Sequence, residues 1–155
     1  MHQIEVKRYL IQQLFHPSHG WTVTVDLDAM ELGKGIQNSQ EKSDTAAIHE
    51  KWMQDNGIAI SSCSELGRVD IVAKHPSDGI FLVECEGDTT KQPEQAMYSA
   101  LGQLLLHMKD ASTHYVLAVP KSPIWSAQVA KITQHVRRTL GLRVFLVSSD
   151  DIKEE

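Results

Sequence analysis

Cysteine is scarce in this chain: Cys63 and Cys85 are the only two and have no CxxC spacing, so both read as reduced thiols and not as a disulfide framework. Long apolar runs are missing too. No stretch approaches the roughly 18 apolar residues of a membrane span, and the opening MHQIEVKRYLIQQ has no apolar signal core, so a soluble, cytoplasmic protein with no membrane partner is expected. Positive charge is in deficit, with 15 Lys and Arg against 20 Asp and Glu and a net charge of −5. Such a surface does not attract a polyanion as a whole, so any duplex contact has to come from a local basic patch or a partner subunit. Nothing calls for a second domain. At 155 residues and 41% hydrophobic content, the chain is long enough to bury one core without staples.

What the chain does have is a short stretch dense in acids. Residues 67–87, GRVDIVAKHPSDGIFLVECEG, place two apolar runs, 68–74 and 80–86, around the turn-forming string His-Pro-Ser-Asp-Gly. A β-hairpin is predicted. Side chains alternate across a strand, so Asp70 shares a face with Arg68 and Val72, and Glu84 and Glu86 share one with Leu82. Cys85 points the other way, among Phe81 and Val83. Three carboxylates then meet. At about 4 Å and an effective dielectric of about 20, each like-charged pair repels by about 4 kcal/mol, and a divalent cation removes that penalty. The competing reading is an exposed edge strand whose acids only solubilise it.

The order of Asp70, then Glu84-Cys85-Glu86 at the end of the next strand, then a helix with Gln95 and Tyr98, resembles the PD-(D/E)xK nuclease superfamily over residues 45–120. The resemblance implies a restriction-endonuclease-like core in which Asp70 and Glu84 bind Mg²⁺ or Mn²⁺. It also implies a lysine two positions after the Glu, and here that position is Glu86. Some type II restriction enzymes of the superfamily carry Glu-x-Glu at this place; a degenerate, inactive member also fits. The resemblance further implies an acid on the helix before the core strands, for which Glu50 is the best match, with Glu5 and Glu65 as substitutes. Gln95-Ala96-Met97-Tyr98 is similar to the Gln/Tyr motif of recombination exonucleases in this superfamily, where these side chains help position substrate. Lys91, on the turn just beyond the hairpin, is a candidate to supply the missing lysine.

The rest of the chain reads as support for that hairpin. Apolar periodicity predicts a helix over 4–15, and alternation predicts a strand over 21–27. His16 and His19 sit in a Pro/Gly turn without acids and read as loop residues. Residues 33–43 read as a mobile polar loop, and Gly33-Lys34-Gly35 lacks phosphate-loop spacing. A helix from Ser43 or Asp44 to about residue 55, with Ile48 and Trp52 inward, precedes a short strand over 57–63 that joins the hairpin in a meander. Then come a helix over 93–109, an apolar strand over 114–120, a helix to residue 140 and a strand over 142–147. The acidic tail is expected to fray. Lys131, His135, Arg137, Arg138 and Arg143 form the one basic cluster.

The expected fold is α/β: one domain with a mixed central sheet of about five or six strands flanked by helices. Its core spans about 44–148, preceded by a helix and strand over 3–28. The expected function is metal-dependent phosphodiester hydrolysis on nucleic acid, with DNA as the substrate form and a homodimer or partner subunit as possible company. Asp70 and Glu84, with Glu50, hold the metal, and Asp70, Glu84, Glu86, Gln95 and Lys91 form the catalytic set. The alternative is an inactive nuclease-fold protein serving as a binding or assembly subunit.

Overall fold

The computed structural model describes residues 1–34, 40–61, 68–88 and 92–155. Cys63, Glu65 and Lys91, with part of the polar loop, lie outside the described residues. The chain forms an α/β domain around a mixed sheet of seven strands. Helix α1 (Gln3–Leu14) leads into β1 (Thr22–Val25), α2 (Gln40–Asp55) and β2 (Ala59–Ile60). The hairpin β3 (Ile71–His75) and β4 (Gly79–Cys85) is followed by α3 (Pro93–His107) and β5 (Thr113–Pro120). Helices α4 (Pro123–Val129) and α5 (Gln134–Leu140) lead to β6 (Leu142–Val147) and β7 (Ile152–Glu154).

The sheet order is β2-β1-β3-β4-β5-β6-β7, with β1, β3 and β4 antiparallel and β4, β5 and β6 parallel. Parallel neighbours need a crossover, and α3 and then α4–α5 provide the two. Alternation sorts the strand residues onto two cores. Ile71, Ala73, Val83, Cys85, Val116 and Phe145 pack under α1 and α2. Val72, Leu82, Leu117, Val144 and Leu146 pack under α3 and α4.

Several expectations change. The short strand β2 is not next to the hairpin: it pairs in parallel with the free edge of β1, Thr24 opposite Ala59, and the meander is β1-β3-β4. Helix α2 begins at Gln40, and its buried residues are Ala46, His49 and Met53; Ile48 is 66% exposed. The helix foreseen to residue 140 is two, because Thr133 caps a new start with its hydroxyl accepting from the Val136 N–H. The acidic tail does not fray. It adds β7 to the edge of β6, where Arg143 grips Glu154 with Nε and Nη2 at 2.7 and 2.8 Å.

Helix α1 is pressed against the end of β4. A Cβ on Gly87 would lie 2.7 Å from the Gln3 backbone nitrogen, so only glycine permits this approach. The contact brings the first turn of α1 to the acids of the hairpin.

Candidate active site

Ile71 is paired with Val83, so Asp70 and Glu84 are the next residues along, at the same end of adjacent strands. Both line an open cleft of about 320 Å³ together with Glu86, Glu31, Gln3 and Gln103. Asp70 lies in a bend just before β3, and its backbone carbonyl still accepts the Asp26 N–H at 3.0 Å. Its carboxylate is tightly held. Oδ2 accepts the Cys85 N–H at 2.8 Å and the Gln3 amide at 3.1 Å, and the Lys7 ammonium lies 2.7 Å from Oδ1.

Lys7 is fully buried, and its partners account for that. Its Nζ lies 2.7 Å from Oε1 and 2.8 Å from Oε2 of Glu31, and it donates to the Asp26 carbonyl at 2.7 Å. Burial alone pulls a lysine pKa down. The carboxylates of Asp70 and Glu31 outweigh it, and Lys7 is held charged, its pKa above the ordinary lysine value. Glu31 is pushed up by burial and by Asp70, with Lys7 pulling the other way. Its backbone is fixed by Asp28, whose Oδ1 accepts the Glu31 N–H at 2.8 Å.

Glu84 and Glu86 have no such cation against them. Glu84 is 3% exposed, and its buried Oε1 has no hydrogen-bond partner. Burial and then the Asp70 charge push its pKa up to about 9. Glu86, half-buried at the cleft, is pushed up to about 7 by burial and then Asp70. Glu84, raised this far, holds a proton at neutral pH unless a cation displaces it.

The donor set suits a hard cation. Among the described residues no three His, Cys, Asp or Glu side chains are arranged as a ready-made metal cage. Mg²⁺ asks for less, since it usually keeps several waters and takes one or two carboxylates. Asp70 and Glu84, with an unpartnered oxygen on Glu84, meet that requirement.

Other foreseen residues lie elsewhere. Glu50 is half-exposed on α2 and is not among the residues lining the acidic cleft; the further acids there are Asp26, Asp28 and Glu31, none of them on a helix. Glu5 accepts the His2 N–H in a capping box and stands 4.0 Å from His49. Gln95 and Tyr98 line a separate cleft with Gln92 and Gln128, and Gln103, two turns further along α3, faces the acids instead. Cys85 points away from the acids into the core under α1, where burial pushes its thiol pKa up. The basic cluster is largely engaged within the chain. Lys131 pairs with Glu94, Arg137 donates to the Ile132 and Val129 carbonyls, and Arg143 pairs with Glu154.

Lys7, Gln3 and Glu31 were not singled out from sequence. A signal existed for the first: Lys7 stands three residues after Ile4 and four before Ile11, on the buried stripe of α1. No family model matches the chain, and no curated protein matches it.

Proposed function

We propose that this protein is a metal-dependent phosphodiester hydrolase acting on nucleic acid, with DNA as the favoured substrate. One observation carries the reading: Asp70 and Glu84 stand at the same end of adjacent strands in one open cleft, and the buried Oε1 of Glu84 is left without a partner. The context agrees with the PD-(D/E)xK resemblance. Asp70 leads into β3, Glu84 lies on the antiparallel β4, a helix is the next element, and an apolar parallel strand comes after it.

Asp70 and Glu84 would hold Mg²⁺ or Mn²⁺, which supplies Lewis-acid polarisation of the scissile phosphate. Asp70 is kept oriented by the Cys85 N–H, Gln3 and Lys7. Glu86 is the general base. It lines the same cleft as Asp70 and Glu84, within reach of a water held there, and it occupies the position where the resemblance expects lysine. Lys7 does not take that role, because its ammonium is held charged by two carboxylates and a carbonyl.

The reading is tested by incubating purified protein with single-stranded, duplex and branched DNA and with RNA, in Mg²⁺ or Mn²⁺ and in EDTA. Cleavage that requires the cation and is lost in Asp70→Asn supports it. Cleavage that persists in EDTA, or that Asp70→Asn retains, contradicts it.

A further inference from the structure

Resting on the cation reading of this cleft, we infer that it contains two cation positions, and that the Lys7 ammonium permanently fills one of them, leaving room for a single exchangeable divalent ion.

The filled position is defined by what surrounds Nζ. Both oxygens of Glu31, Oδ1 of Asp70 and the Asp26 carbonyl all approach within 2.7–2.8 Å. These groups come from two stretches of the chain, the loop after β1 and the start of the hairpin, and are all hard oxygens, two of the three groups charged. That is the donor set of a divalent cation of the magnesium or manganese type. An ammonium brings three N–H donors, and here three acceptor groups meet it. Lys7 is also 0% exposed, so neither water nor a competing ion reaches Nζ.

The other position lies on the Glu84 side of Asp70. Glu84 and Glu86 feel the Lys7 charge only at a distance and form no ion pair with it, and Oε1 of Glu84 has no partner. Asp70 belongs to both halves and ties them together. Without Lys7, Asp70 and Glu31 would confront each other unneutralised, so the half that Lys7 occupies acquires a vacancy for a divalent ion once the side chain is cut back.

Lys7→Ala creates that vacancy. Mn²⁺ bound per chain is counted by electron paramagnetic resonance titration of the free ion, for the wild type, Lys7→Ala and Lys7→Ala/Glu31→Gln. Lys7→Ala is expected to bind one more Mn²⁺ than the wild type and to lose stability in EDTA that Mn²⁺ restores. The double variant is expected to lose the gained ion. A Lys7→Ala chain that binds no more Mn²⁺ than the wild type overturns the inference. So does one that is unfolded in EDTA and stays unfolded in millimolar Mn²⁺. The count also separates the two readings. A wild type that binds none and a variant that binds one would remove the metal from the Glu84 side while sustaining the role of Lys7; one ion in each would do the reverse.

Discussion

A carboxyl that is 3% exposed, feels the charge of Asp70 and has an oxygen without a partner does not titrate like an ordinary glutamate. With its folded pKa raised from 4.5 to about 9, Glu84 binds a proton in the folded protein that it releases on unfolding. The sign follows directly: this contribution to stability is fully present below the unfolded pKa of 4.5 and is lost as pH rises towards 9. Glu86 behaves the same way but is spent by about pH 7. Urea denaturation in EDTA should therefore show stability falling by about 1.4 kcal/mol per pH unit from about pH 7 to about pH 8.5. Glu84→Gln should abolish that slope, and saturating Mg²⁺ should flatten it in the wild type. Flat stability in EDTA over that range would mean that Glu84 is ionised without a cation. The positions of Asp70 and Glu84 were legible because strand alternation is strict. Lys7 was not, because its meaning depends on Glu31, 24 residues away on a loop whose path no local pattern sets.

Helix α1 is tied to the hairpin through Asp70, which accepts from Gln3 and pairs with Lys7 on successive turns of that helix. Repulsion among bare acids would make removal of any one of them stabilising in metal-free buffer. The structure changes that expectation for Asp70, whose charge is matched by a buried ammonium. Asp70→Ala should destabilise the metal-free protein by about 3 kcal/mol, since it leaves Lys7 with Glu31 as its one carboxylate and the Cys85 N–H without its acceptor. Glu84→Gln should be neutral or stabilising under the same conditions. Equal effects in chemical denaturation would contradict the division of the acids into a paired and an unpaired group. The elements themselves were largely readable where apolar patterning was strong, as in β4, α3 and β5. The two edge strands were misread for one reason: β2 and β7 are short strands of two and three residues whose positions are set by the edges they join, and not by their own pattern. The break between α4 and α5 left a local mark in Thr133, a helix-capping residue inside an otherwise helical run.

The molecule as a whole carries a net charge of −5, and much of its basic cluster is paired within the chain. No helix among the described residues is long and apolar enough to cross a membrane. Under the proposed function, a cleft lined mainly by acids, with Arg68 at its rim, would meet a polyanion best with a cation between them, so the metal would serve substrate binding as well as chemistry. The seven-stranded sheet holds the acids at one end of β3 and β4, with α1 and α3 on opposite faces. On the proposed reading, Glu86 is the residue on which hydrolysis would turn. The most direct measurement is the single-turnover cleavage rate of wild type and Glu86→Gln in saturating Mn²⁺, alongside substrate affinity. The account predicts that Glu86→Gln keeps its fold and its binding and loses at least about 100-fold in rate, as expected for a lost general base. A wild type as inert as Glu86→Gln on DNA and RNA alike, in Mg²⁺ and in Mn²⁺, would contradict it.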